Sequence, residues 1–142
     1  MQKETAMPSP CRHRNQLHYA AVCLVVVGLG LASRRLPRTW PVVWSKYPGD
    51  ALWALMVFFG LGAVFRRAST LQVAAGALGF SSAIEVLKLW QAPWLAAVRH
   101  TTLGHLVFGH AFSWQNLAAY LVGVLLGVAG EAMADRARSK PV

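Results

Sequence analysis

The sequence predicts an all-α integral membrane protein: a four-helix bundle with a long interfacial or re-entrant connection between its third and fourth spanning helices. Three observations carry this reading. Four windows, within residues 17–33, 51–65, 70–87 and 117–134, hold no charged side chain except Glu85 and, near the end of the last, Glu131. Charged residues make up 13% of the 142-residue chain, against about a quarter in soluble domains. The arginines and lysines behind the net charge of +9 fall mostly at window ends (Arg34, Arg35, Arg66, Arg67, Arg136, Arg138), where membrane anchors and topology determinants lie. That placement argues against a nucleic-acid partner. A soluble bundle is disfavoured because no window shows a polar helical face.

Residues 1–16 are polar and Pro-containing, and read as a disordered basic tail. The membrane domain covers 17–134, with spans at 17–33, 51–65, 70–88 and 116–134, and a polar basic tail follows at 135–142. At 1.5 Å per residue, runs of 15 to 18 residues reach roughly 22 to 27 Å. That is the short end for a hydrocarbon layer of about 30 Å, and flanking aromatic and basic side chains make up the difference. The tail and first span also fit a signal-peptide pattern with Gly30-Leu31-Ala32 as the small-residue site. The length of the apolar run and the Arg34-Arg35 pair favour a retained anchor.

Pro37, Pro41 and Pro48, with Trp40, Trp44 and Tyr47, make 34–50 a loop that resists a continuous helix. Asp50 then opens the second span as an N-cap. A tight turn at 66–69 leads into the third span, with Ser69 or Thr70 as cap. Ala75, Gly79 and Ala83 recur every four residues on that span, and Gly123 and Gly127 do the same on the fourth. Such spacing lets helix backbones approach closely, so both stripes are expected to pack inside the bundle. Residues 88–116 are too polar to span and too apolar for a free loop, which predicts one or two short helices at the interface or a re-entrant turn.

All six tryptophans (Trp40, Trp44, Trp53, Trp90, Trp94, Trp114) lie near one end of the bundle, as do Asp50, Glu85, Arg99 and Asn116. Lys and Arg number eight on the termini and the short turn against six on the other side. This bias places both termini in the cytoplasm and the Trp-rich end outside.

Glu85 is the residue that asks most of the fold. An acid at mid-membrane costs about 2.5 to 3.5 kcal/mol to insert, less near a helix end, so it needs a partner or a wet cavity. Lys88 is three residues on and able to face it on a helix. Gln91, Arg99, His105 and Asn116 are further candidates. Glu85 is either one half of a structural ion pair or a functional acid able to serve as a base or bind a cation. Arg99 fits a headgroup anchor, a partner of Glu85, or a bidentate phosphate ligand. His100, His105 and His110 are five apart and share no helical face, so metal ligation is not expected. Cys11 and Cys23 form no disulfide or metal framework. No nucleophile elbow, phosphate loop or HExxH motif is present, and no cofactor is expected.

The segments Gly49-Asp50-Ala51-Leu52-Trp53-Ala54-Leu55-Met56-Val57-Phe58 and Gln91-Ala92-Pro93-Trp94-Leu95, followed by Arg99, Leu103-Gly104-His105-Leu106 and residues 116–123, resemble domain-of-unknown-function family 2809. These are small bacterial membrane proteins without an assigned activity, and the resemblance covers about residues 17–130. More distantly the pattern is similar to the VanZ-like superfamily. There an Asp opens one helix, a Glu followed by Gln closes another, and an Arg precedes an Asp-x-x-x-Asn-x-x-Gly helix. Asp50, Glu85, Arg99 and Gly123 match that pattern. Lys88 stands in place of Gln, Asn116 in place of Asp, and Tyr120 in place of Asn. The resemblance implies a link to low-level glycopeptide resistance, an envelope role, and residence in the bacterial inner membrane.

The residues expected to line the polar end are Asp50, Glu85, Lys88, Arg99, His105 and Asn116. The leading expectation is an uncharacterised multi-pass protein that binds an anionic lipid or lipid-linked envelope intermediate there. A small membrane enzyme acting on a lipid headgroup, with Glu85 as base, and a structural subunit of a membrane complex are the alternatives. The orientation is testable: with Cys11 and Cys23 replaced, Ser113→Cys is expected to react with a membrane-impermeant thiol reagent in intact cells. Labelling only after permeabilisation would invert the topology.

Overall fold

A computed structural model describes residues 14–33, 42–108 and 111–138, with side chains at all of these except 42–46, 105, 106 and 138. Among these residues four long helices and two short ones are formed: α1 (Gln16–Ser33), α2 (Val42–Val64), α3 (Thr70–Leu87), α4 (Pro93–Arg99), α5 (Thr102–Phe108) and α6 (Trp114–Arg138). No strand occurs among the described residues. α1, α2, α3 and α6 are each long and apolar enough to cross a membrane. Their outer faces carry Leu24, Val25, Leu29, Leu71, Phe80, Leu121, Leu125 and Leu126 exposed. A soluble protein would hide a band of that extent, whereas a lipid-facing surface requires it.

α2 begins well before residue 51, and this corrects two expectations. The stretch from Val42 to Asp50 is helical, with Pro48 inside the helix. Pro48 removes one intrahelical donor, but membrane helices tolerate proline where neighbouring groups satisfy the freed carbonyl. Asp50 is therefore not an N-cap; it sits in the body of α2, half-buried. The rest of the Pro- and Trp-rich loop, residues 34–41, lies outside the described residues.

The third helix starts as its sequence directs. Ser69 caps α3 by accepting a hydrogen bond from the Gln72 backbone N–H, and the Gln72 side chain returns to the Ser69 N–H, completing a capping box. Pro93 opens α4, where its missing N–H costs nothing. α4 and α5 fill the long connection as two seven-residue helices. α4 packs on α5, and α5 packs on α3.

α2 is the hub. It packs against α1, α3 and α6, and α3 packs on α6. The core between α2, α3 and α6 is formed by Ala54, Val57, Phe58, Val73, Ala74, Ala77, Tyr120 and Val124. The two small-residue stripes fare differently. Gly123 and Gly127 lie at the α2–α6 contact: a Cβ on Gly123 would sit 2.1 Å from the Ala51 carbonyl oxygen, and one on Gly127 2.6 Å from the Phe58 ring. Ala75, Gly79 and Ala83 instead face outward, exposed, and a Cβ on Gly79 would meet nothing within 4 Å. The expectation that they pack inside the bundle fails, because the inward face of α3 is set by the residues that reach α2 and α6, namely Val73, Ala77, Ser81 and Glu85.

α1 packs mainly on α2 and meets α6 at Tyr19 and Glu131. Its Tyr19 ring crosses Gly62 of α2, where a Cβ would come within 2.8 Å of the ring, and stacks edge-on to Phe59 with centroids 5.6 Å apart. Only glycine at position 62 leaves that crossing open.

Gly123→Val is expected to destabilise the protein by about 1–3 kcal/mol through overpacking of the α2–α6 contact, and Gly79→Val to change little. Thermal unfolding of both variants in detergent checks the contrast; equal loss in the two would place the α3 stripe in a contact as tight as that of Gly123.

Candidate functional site

Glu85 is fully buried near the C-terminal end of α3, and its carboxylate is saturated. Oε2 accepts from Lys88 Nζ at 2.5 Å and from the Tyr120 hydroxyl at 2.7 Å. Oε1 accepts from the Ser113 backbone N–H at 2.8 Å and from Asn116 Nδ2 at 3.2 Å. Four donors occupy the roughly four lone-pair positions that a carboxylate offers. Three elements converge to supply them. Lys88 follows one helical turn after Glu85, Ser113 precedes α6, and Asn116 and Tyr120 sit four apart on one face of α6.

The end of α3 is capped by cations. Lys88 is the C-cap residue, and Arg99, at the end of α4, donates to the Leu87 carbonyl at 2.9 Å. Both positive charges also oppose the negative end of the helix dipole. Arg99 is thus placed beside the Glu85 cluster but directed to the backbone of α3; no Arg99–Glu85 hydrogen bond or ion pair is formed among the described residues. Its side chain is 7% exposed, and its Nε, buried, has no hydrogen-bond partner among the described residues. The same is true of Asn116 Oδ1, in a residue 3% exposed, and of Ser81 Oγ, one turn before Glu85 on the same face of α3. Buried polar atoms without partners are uncommon and ask for a cause.

Of the six sequence-predicted site residues, the structure joins Glu85, Lys88 and Asn116 in direct contact. Arg99 stands next to them through Leu87. Asp50 lies within electrostatic range of the Tyr120 hydroxyl, on the helix opposite. The His105 side chain lies outside the described residues. Around this end Trp90, Trp94 and Trp114 are each 60% exposed or more, and Phe112 stacks edge-on to Trp114 with centroids 5.0 Å apart.

A second buried cluster occupies the other end of the bundle, and the sequence reading did not find it. Arg14, 1% exposed, lies just before α1 in what reads as a tail. Its Nε donates to Glu131 Oε1 at 2.7 Å and its NH2 group to Oε2 at 3.3 Å. Its NH1 group donates to the Ala68 carbonyl, and its NH2 group also to Thr70 Oγ1 at 3.4 Å. Thr70 Oγ1 donates to Glu131 Oε2 at 2.5 Å, and the Tyr19 hydroxyl donates to Oε1. Burial opposes the charge on Arg14, but the hydrogen bonds to Glu131 and Tyr19 hold its pKa above the ordinary value. These bonds join the start of α1, the α2–α3 turn, the start of α3 and the end of α6. They also place the beginning of α1 and the end of α6 at the same end of the bundle. Glu131 borders a cavity of about 160 Å³ between α1 and α6, with His18, Tyr19 and Phe59 among its other walls. One signal for this cluster was in the sequence: Glu131 follows Tyr120 by eleven residues, close to three helical turns, so both face one way. Nothing local marked Arg14 as its partner.

No group of three or more His, Cys, Asp or Glu side chains suited to a metal occurs among the described residues.

A family model described as a protein of unknown function (DUF2809) matches residues 39–124. The match takes in α2 to α5 and the first part of α6, and so includes every residue of the Glu85 cluster. No solved structure matches the chain.

Removing one partner from a buried ion pair leaves an uncompensated charge. Lys88→Met is therefore expected to cost about 3–5 kcal/mol, with part of the loss recovered in the double variant Glu85→Gln/Lys88→Met. Arg14→Met is expected to cost a similar amount through Glu131. Chemical or thermal unfolding of purified variants checks both; an Arg14→Met protein as stable as the parent would return Arg14 to the tail.

Proposed function

The chain belongs to the DUF2809 family, and we propose that it is a membrane-embedded binding protein that recognises an anionic headgroup at the end of the bundle where α3 meets α6. The headgroup belongs to a membrane lipid or a lipid-linked envelope intermediate. The observation that carries this reading is the buried, unpartnered Nε of Arg99 at an end bordered by the exposed rings of Trp90, Trp94 and Trp114. A guanidinium with one edge committed to the Leu87 carbonyl keeps further N–H donors for an anionic oxygen. Exposed tryptophans hold such an end at headgroup depth.

Lys88 contributes charge to the same end while remaining bonded to Glu85, and Asp50 and Asn116 belong to its polar wall. His105 is assigned here by its place in α5. The bias of basic residues supports both termini being cytoplasmic and this end outside, and the family resemblance supports a bacterial inner membrane.

The enzymatic alternative is less well supported. A general base needs a free lone pair directed at the proton it removes, and all four acceptor positions of Glu85 are taken. Glu85 is better read as the post around which the recognising groups are arranged.

Native mass spectrometry of the purified protein tests the proposal. The wild type is expected to retain a defined anionic lipid. Arg99→Lys preserves the charge and can still reach the Leu87 carbonyl, but it lacks the planar fork; it is expected to lose that lipid selectively. Identical lipid complements in wild type, Arg99→Lys and Arg99→Ala would sink the binding assignment.

A further inference from the structure

A groove of about 510 Å³ runs between α2 and α3. Leu61 and Phe65 form its α2 wall, and Gln72, Gly76 and Phe80 its α3 wall, with Ala68 of the connecting turn closing one end. The sequence makes this groove by omission. Residues 72, 76 and 80 are spaced four apart and share one face of α3, and Gly76 presents no side chain between Gln72 and Phe80. A Cβ at Gly76 would stand 3.4 Å from Leu61 Cδ1 on the opposite wall, so a larger side chain there lies across the groove. Phe65, Gln72, Gly76 and Phe80 are all exposed, so the groove opens to whatever surrounds α2 and α3. Both helices are long and apolar enough to cross a membrane, and the surroundings are then lipid.

The closed end of the groove is basic. The Ala68 N–H donates to the Phe65 carbonyl at 3.1 Å and closes the turn, so Arg66 and Arg67 stand between two residues that line the groove. Arg67 is exposed. Its Cα is about 3.8 Å from that of Ala68, which leaves its long side chain within reach of the groove mouth. The carboxylate at this end, Glu131, is already bonded to Arg14. We propose that the α2–α3 groove holds one acyl chain of an anionic phospholipid, with the phosphate against Arg67 and the chain running from Ala68 past Gly76 to Phe80.

The length of the groove fits that occupant. From Thr70 to Phe80 α3 advances about 15 Å, half of a hydrocarbon layer of about 30 Å. Half of the layer is the depth that one acyl chain fills. A second copy of this chain is the other apolar occupant, and charge opposes it. Two copies in one membrane point the same way, so joining their α2–α3 faces would set Arg66 and Arg67 against their counterparts, and like charges brought together are costly. The groove lies at the start of α3 and the Glu85 cluster near its end, so this site is independent of the headgroup reading above.

The test is photolabelling of the full-length protein in phosphatidylcholine nanodiscs. A diazirine is placed in one acyl chain of phosphatidylglycerol or of phosphatidylcholine, and labelled residues are located by peptide mass spectrometry. The expected result is labelling around Gly76 and Phe80 about fivefold stronger with the phosphatidylglycerol probe, the equivalent of one basic contact at a membrane surface. Around Leu125 and Leu126, exposed on the outer side of α6, the two probes are expected to label equally. Gly76→Leu should remove the phosphatidylglycerol excess by filling the groove, and Gly79→Leu should preserve it, because a Cβ at Gly79 meets nothing within 4 Å. Arg67→Gln should weaken the excess. Equal labelling by the two probes around Gly76 in the wild type would overturn the proposal, as would an excess left undiminished by Gly76→Leu or by Arg67→Gln. A dimer in native mass spectrometry, with the groove shielded from both probes, would seat a second copy there and overturn it as well. Labelling is read by position, so the result stands apart from any lipid held at Arg99. The wild-type comparison needs no variant and decides the matter even if Gly76→Leu does not fold.

Discussion

Two carboxylates buried in a membrane-spanning bundle fix much of this structure. Each must be met by donors from other helices, because hydrocarbon supplies none and an unpaired charge there is costly. Glu85 draws the C-terminal end of α3 to the first turns of α6; Glu131 draws the last turns of α6 to the start of α3 and to Arg14 before α1. The α3–α6 seam is thus pinned at both ends by polar clusters, with Ala77 and Val124 among the apolar residues between them. In a lipid environment, where burying apolar surface does little to drive helix against helix, such pins do much of the work of setting register.

Close packing supplies the rest. α2 approaches α6 at Gly123 and Gly127 and lets the Tyr19 ring cross at Gly62. That last contact links packing to electrostatics, since the crossing is what delivers the Tyr19 hydroxyl to Glu131. Losing the space at Gly62 would therefore strain the helix contact and remove a donor from the buried carboxylate.

The two clusters differ in what they leave over. Within the Arg14–Glu131 cluster the side chains of Arg14, Tyr19, Thr70 and Glu131 bond to one another, and the cluster reads as a clamp. At the Glu85 end, saturation of the carboxylate coexists with the unpartnered atoms of Arg99, Asn116 and Ser81, and with a ring of exposed tryptophans. The proposed binding role rests on these left-over atoms at the Glu85 end rather than on the acid itself.

The charge-free windows, the basic residues at their ends and the Ser69 cap are local properties, so the sequence by itself determined a four-span α-helical membrane protein with a short-helix connection before the last span. The i to i+3 spacing likewise made the Glu85–Lys88 contact legible, because one helical turn brings those side chains together whatever the rest of the chain does. What lies across helices was not legible. Arg14 looks like tail until Glu131, 117 residues away, is folded onto it. Tyr120 emerges as a donor to Glu85 only once α3 and α6 adjoin. Asp50, placed by its flanking Pro and Gly as a cap, became an internal residue of α2 because tertiary contacts can hold a helix through a proline. The outward turn of Ala75, Gly79 and Ala83 was settled the same way: spacing specifies which residues share a face, but only the partners of Glu85 and Ser81's neighbours in the core decide which face of α3 turns inward.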